Sequence, residues 1–185
     1  CWWSMINTAV KINDRPSAFR YPRGNVLGMK LPGIDEILEI GKGKIVKEGK
    51  KVVILNFGAR LQECLKAADN LDVKGISTTV ADARFAKPLD KKLIIDLCLN
   101  HEALITIEEG SIGGFGSHVF QMLSDRGIFD KGLKIRSMIL PDQFIEQDTP
   151  ENMYKFAGLD AKSIEQKALD TLKSNIVVPK TKQFN

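Results

Sequence analysis

The spacing of apolar positions changes several times along this chain, and each change marks an element. Trp2, Trp3, Met5, Ile6, Ala9 and Val10 form an amphipathic stretch, read as a helix over residues 1–13. Asp14-Arg15-Pro16 ends it, because proline lacks an amide proton and disfavours helix in the residue before it. Ser17 to Tyr21 reads as a short strand. Pro22, Gly24, Gly28, Pro32 and Gly33 then punctuate the chain so densely that residues 24–38 are expected to be a linker. Ile40 to Val46 and Lys51 to Phe57 flank the polar turn Lys47-Glu48-Gly49-Lys50, which predicts a β-hairpin at the entrance to a new domain.

From there strand and helix alternate. Val52, Val53, Ile54 and Leu55 are an unbroken apolar run, as in a strand covered on both faces. Leu61, Cys64, Leu65, Ala68 and Leu71 follow at helical spacing, stopped near Lys74-Gly75. Ile76 to Ala81 is a second strand, Leu89 to Cys98 a helix, and Ala103 to Ile107 a third strand. Ser117 to Ser124 starts a helix after a glycine-rich turn, and Leu133 to Leu140 is a further strand. Thr149-Pro150-Glu151 carries the cap, the first-turn proline and the acid of a helix start. A last helix spans about Ala161 to Leu172, and residues 173–185 are expected to be a mobile tail. Strands joined by helices of this length need right-handed crossovers, so the expected fold is α/β, a three-layer domain with a mainly parallel sheet.

A chain of 185 residues supports one ordinary domain with an appendage. Its 43% hydrophobic and 27% charged residues exclude a disordered or disulfide-scaffold class. The net charge of +4 comes from basic residues in mixed-sign company, which does not make a nucleic-acid footprint. Cys1, Cys64 and Cys98 are odd in number and far apart, as expected of reduced thiols, and His101 and His118 stand at no metal-ligand spacing from them. No apolar run has membrane-spanning length and no signal peptide is evident, so a cytoplasmic or organelle-matrix protein is expected. The opening Cys1-Trp2-Trp3, without an initiator methionine, reads either as the middle of a longer protein or as a chosen boundary.

Four places carry candidate chemistry. Arg20-Tyr21-Pro22-Arg23-Gly24 sets two guanidinium groups and a phenol around a chain reversal, and arginine presents a fork of donors suited to phosphate. Read alone, the cluster also fits a surface strand whose arginines pair with carboxylates. The stretch from Gly110 to His118 follows a strand and opens a helix, where amides can hold an anion; it lacks the ending of a Walker loop, and Glu108 and Glu109 precede it, which favours a tight packing turn. Glu108 and Glu109 are adjacent on a strand, point to opposite faces and so make no acid–base dyad. Asp82 and Arg84 share a face and can pair, whereas His101 and His118 read as surface or capping histidines.

Six blocks, "PSAFRYPRGN", "EIGKGKIVKEG", "VVILNFGARLQECLKAA", "TTVADARFAKPLD", "HEALITIEEGSIGGFGSHV" and "LPDQFIEQDTPENMYKFAGLD", together resemble the 1-deoxy-D-xylulose-5-phosphate synthase family of transketolase-like thiamine-diphosphate enzymes. The resemblance covers roughly the first 172 residues. It implies the end of a pyrimidine-binding domain at 1–23, a linker at 24–38, a carboxy-terminal domain at 39–172 and a tail at 173–185. It further implies that the whole enzyme condenses pyruvate with D-glyceraldehyde 3-phosphate, releasing CO2, with thiamine diphosphate and Mg2+. Arg23 would bind the aldehyde's phosphate, with Arg20 and Tyr21 in support. No Gly-Asp-Gly cofactor motif is present, and indeed no Asp-Gly pair. The resemblance therefore implies that no catalytic, cofactor-binding or metal-binding residue lies in this chain, and that thiamine diphosphate and Mg2+ do not bind to it alone. Its partners would be the amino-terminal part of the same enzyme and a second copy in a homodimer, with no nucleic acid and no membrane. The alternatives are the last domain of a transketolase or of a 2-oxo-acid dehydrogenase β subunit, or a free-standing dimerisation or anion-binding module.

Overall fold

The computed structural model describes residues 2–21, 33 and 36–173. Helix α1 (Trp2–Lys11) comes first. Then follow β1 (Lys44–Lys47), β2 (Val52–Phe57), α2 (Leu61–Val73), β3 (Thr78–Asp82), α3 (Lys91–Asn100), β4 (Ala103–Glu108), α4 (Phe115–Ser124), β5 (Lys134–Met138), α5 (Pro150–Phe156) and α6 (Ala161–Lys173), with a 3-10 turn at Ile128–Lys131. The sheet runs β1-β3-β2-β4-β5, and every pair except β1–β3 is parallel.

The unbroken apolar strands sit at the centre because both their faces are covered. Val52 and Ile54 turn to one side, where α2 and α6 bring Ala68, Leu71, Ile164 and Ala168. Val53 and Leu55 turn to the other, where α3 and α4 bring Ile94, Leu97, Val119 and Leu123. Each fully buried side chain of this size contributes about 1.5–3 kcal/mol. The three-layer α/β architecture expected from the alternation is the one observed. Thr149 accepts a hydrogen bond from the Asn152 amide, as the helix-start pattern implied. Cys64 and Cys98 are buried free thiols on helix faces that meet the core.

Two expectations fail. Strands β1 and β2 do not form a hairpin: β1 lies antiparallel to β3 at the sheet edge, with Lys44 opposite Asp82 and Ile45 opposite Ala81. Strand β2 has no side left to offer, since β3 and β4 flank it along its whole length. The polar stretch after Lys47 crosses the end of β3 instead of folding back, held by the Gly49 amide on Thr79 Oγ1 at 2.9 Å. Residues 17–21 are not a strand: they pair with no other strand among the described residues. The linker residues 24–32, 34 and 35 and the tail residues 174–185 lie outside the described residues. At the entrance, α1 is tied to residues 36–38: the Leu38 amide donates to Thr8 Oγ1 at 2.8 Å, and Ser4 Oγ donates to Glu36 at 3.2 Å.

Candidate functional site

Four parallel strands end on one edge of the sheet, and ligands of open α/β sheets bind beyond that edge where the strand order reverses. Chain order leaves β2 for β3 on one side, while β4 lies on the other, so the reversal falls between the carboxyl ends of β2 and β4. The loops meeting there are residues 58–60 and 109–114.

Side chains of the protein itself fill this crevice. Arg60, at the amino end of α2, places Nε 3.2 Å from Glu109 Oε1, an ion pair by distance that is not aligned as a hydrogen bond. Its guanidinium also lies over the Tyr154 ring, 3.5 Å from the centroid. Such stacking suits arginine's planar group and bridges the crevice to α5. Burial is the main force that raises the Tyr154 phenol to about 12; a hydrogen bond to Glu109 and its charge add to this, and Arg60 opposes it. On the other face of the sheet, Phe57 stacks on Phe115 at 4.8 Å between centroids.

The glycine-rich turn is occupied in the same way. Glu108 is 3% exposed and accepts the Phe115 and Gly116 amides at 2.9 and 2.8 Å, so its carboxylate is the anion at the amino end of α4. The glycines make room for it: a Cβ on Gly110 or Gly114 would stand 2.4 Å from Glu108 Oε2. The turn is thus the packing turn expected from the sequence, and Glu108 and Glu109 do point apart, one into α4 and the other toward Arg60.

Beside the crevice, the Arg84 amide donates to Asp82 Oδ1 at 3.1 Å, and its guanidinium stands 3.9 Å from Asp82 Oδ2. Burial raises the Asp82 carboxyl, partly offset by that amide bond and by the Arg84 charge. Arg84 is the one non-glycine residue with positive φ, 57°, among the described residues. A strained bulky residue at the carboxyl end of a parallel strand marks a candidate functional position. The face-sharing pattern gave the pair, but nothing in the sequence announced the strain.

Of the sequence-derived site residues, Arg20 and Tyr21 lie in an irregular stretch after α1 and are exposed, Tyr21 at 72%. The Tyr21 ring faces Phe19 at 6.5 Å. Arg23 lies outside the described residues, so its placement beside them is not described. His101 caps α3: Nδ1 faces the Leu97 carbonyl at 2.8 Å and donates to it, and Nε2 lies 2.7 Å from Thr79 Oγ1. His118 is exposed on α4. No group of three His, Cys, Asp or Glu among the described residues could hold a metal ion, and no described helix is long and apolar enough to cross a membrane.

A self-filled switch-point crevice under a five-stranded sheet has relatives. The family model described as "Transketolase, C-terminal domain" matches residues 41–164. Among solved structures the chain is similar to a "split gene transketolase, inactive beta4 tetramer", with a TM-score of 0.68, 30% identity, and coverage of 78% of this chain. It spans 46% of that chain, less than half of its length. By sequence match and by fold, the chain belongs to the transketolase carboxy-terminal domain family.

Proposed function

We propose that this chain is the carboxy-terminal portion of a 1-deoxy-D-xylulose-5-phosphate synthase, which joins pyruvate to D-glyceraldehyde 3-phosphate with loss of CO2 and thereby feeds isoprenoid and thiamine precursor synthesis. The observation that carries the reading is the order of motifs: "PSAFRYPRGN" stands directly upstream of a transketolase-type carboxy-terminal domain. In this reading Arg23 grips the aldehyde's phosphate through paired N–H donors, and Arg20 and Tyr21 support it.

Thiamine diphosphate and Mg2+ would supply the activation of pyruvate when bound. The described residues do not fit that cofactor. They hold no acidic or histidine cluster for the metal, and the helix end best placed for a diphosphate already carries Glu108. The rest of the polypeptide is therefore assigned the cofactor, and this chain alone is expected to be inactive. Its own work is to brace the assembly and to contribute one phosphate-binding arginine. The partners are the amino-terminal part of the same enzyme and a second copy in a cytoplasmic homodimer.

A second reading, the last domain of a transketolase, is favoured by the similarity to a split-gene transketolase. Kinetics of the full-length protein separate the two. With pyruvate and D-glyceraldehyde 3-phosphate as substrates, Arg23→Ala is expected to raise KM for the aldehyde by roughly 100-fold, as loss of a charged phosphate contact implies. KM for pyruvate should stay within about three-fold, which marks loss of binding to one substrate only. Equal changes in both would remove the phosphate role, and failure of the wild-type protein to join the two substrates would remove the synthase reading.

A further inference from the structure

Helix α1 meets the entrance of the domain with hydroxyl groups and not with its apolar stripe. Ser4 and Thr8, one turn apart, are 0% and 3% exposed, while Trp3 and Val10 are exposed. Buried hydroxyls need hydrogen bonds, and these two have them. Thr8 Oγ1 donates to the Ser4 carbonyl at 2.6 Å and accepts the Leu38 amide at 2.8 Å. Ser4 Oγ donates to Glu36 Oε2 at 3.2 Å, and Asn7 Nδ2 donates to the Glu36 carbonyl at 3.5 Å. Apolar contact alone would let the helix slide, whereas hydrogen bonds are directional and fix it. The far side of this joint is rooted in the domain. Leu38 is buried, and further on the Gly43 amide donates to Asp90 Oδ2 at 3.1 Å. Asp90 in turn caps α3 by accepting the Leu93 amide at 3.0 Å. A Cβ on Gly43 would stand 2.7 Å from Leu93 Cδ2, so the segment lies directly against α3.

Thr8 and Leu38 are 30 positions apart, and Arg20, Tyr21 and Arg23 fall between them in sequence. We propose that Thr8 is a positioning residue for the phosphate-binding arginine: its bond to Leu38 ties α1, ahead of that arginine, to the carboxy-terminal domain behind it. The inference rests on the reading of Arg23 given above. A donor that must meet a phosphate gains from being placed before the substrate arrives, and a misplacement of about 1 Å costs up to about 100-fold in rate. The Thr8 hydroxyl has no apolar substitute in this role. Valine has nearly the same shape, yet it leaves the buried Leu38 amide without its acceptor.

The test uses the full-length protein. Thr8→Val is expected to raise KM for D-glyceraldehyde 3-phosphate about ten-fold, with KM for pyruvate within about three-fold. Thr8→Ser keeps the hydroxyl and should stay within about two-fold of wild type for both substrates. Because Thr8 acts through Arg23, adding Thr8→Val to Arg23→Ala should change the aldehyde KM by less than about two-fold more. Hydrogen exchange read over Glu36 to Leu38, which needs no substrate, should lose protection in Thr8→Val and keep it in Thr8→Ser. Unchanged exchange in Thr8→Val would show that the bond does not hold the joint. An unmoved aldehyde KM in Thr8→Val, equal losses with valine and serine, or multiplying effects of the two substitutions would show that Thr8 does not act through the arginine. Each of these overturns the proposal. If Arg23→Ala itself leaves the aldehyde KM unchanged, the phosphate reading falls, and the positioning role falls with it whatever the exchange shows.

Discussion

At the scale of single residues, Glu108 decides what the glycine-rich turn can do. A buried carboxylate bonded to two first-turn amides satisfies the helix end from within, and the adjacent glycines exist because any side chain would collide with it. Glu108→Ala leaves both amides unmet and is expected to cost about 3 kcal/mol, read by urea unfolding. Gly114→Ala should cost a comparable amount, since its Cβ would lie 2.4 Å from the pinned carboxylate, and overpacking a tight site costs ~1–3 kcal/mol. Tyr154 offers a spectroscopic check on the crevice. Its phenol is raised from 10.0 to about 12, so the folded state holds the proton more tightly. Stability from this group is full below pH 10 and falls as pH rises toward 12. Absorbance titration should show a tyrosine phase near pH 12 that Tyr154→Phe abolishes. Much of this was legible in order of residues: the acidic pair ahead of the glycines spoke against a nucleotide loop, and adjacency on a strand sent the two carboxylates apart. The stacking of Arg60 on Tyr154 was not, because those residues lie far apart in sequence and meet only through the fold.

At the scale of elements, the central strands and their helices follow from hydrophobic period, since β2 and β4 are apolar at every buried position but Asn56, Thr106 and Glu108, and α2 shows a single apolar face. Strand β1 was misread for a physical reason. A glycine-containing turn between two extended segments is compatible with a hairpin, yet partner choice is settled by burial, and the exposed residues of β1 fit only an edge. Local chemistry secures it there: Lys47 pairs with Asp69 and with Asp72 of α2, the latter at 2.8 Å, and the Asp69 bond is the main cause that raises the Lys47 ammonium. Gly49 lets the chain pass over β3, since a Cβ would stand 2.3 Å from the Thr78 carbonyl carbon. Gly49→Ala is expected to cost about 2–3 kcal/mol, because backbone cannot yield as a side chain does. Native-state hydrogen exchange in that variant should lose protection first in β3 residues next to β1, with β2 and β4 keeping theirs.

At the scale of the molecule, Arg60, Glu109 and Tyr154 occupy the switch-point crevice of a mostly parallel sheet, and the proposed role of the domain is accordingly that of a support. The chain spans less than half of the split-gene transketolase to which it is similar, and its one proposed contact with substrate comes from the segment ahead of the domain. The sequence blocks made the transketolase-type carboxy-terminal domain legible before any coordinates, because motif order survives where pairwise contacts cannot be foreseen. They do not locate Arg23, whose setting lies outside the described residues. Isothermal titration of this chain with thiamine diphosphate and Mg2+ goes to the centre of the account, which puts the reacting groups elsewhere in the polypeptide. No binding heat is expected at ligand concentrations up to about 1 mM, a standard at which sites weaker than about −4 kcal/mol go unfilled; saturable binding in the micromolar range would contradict it.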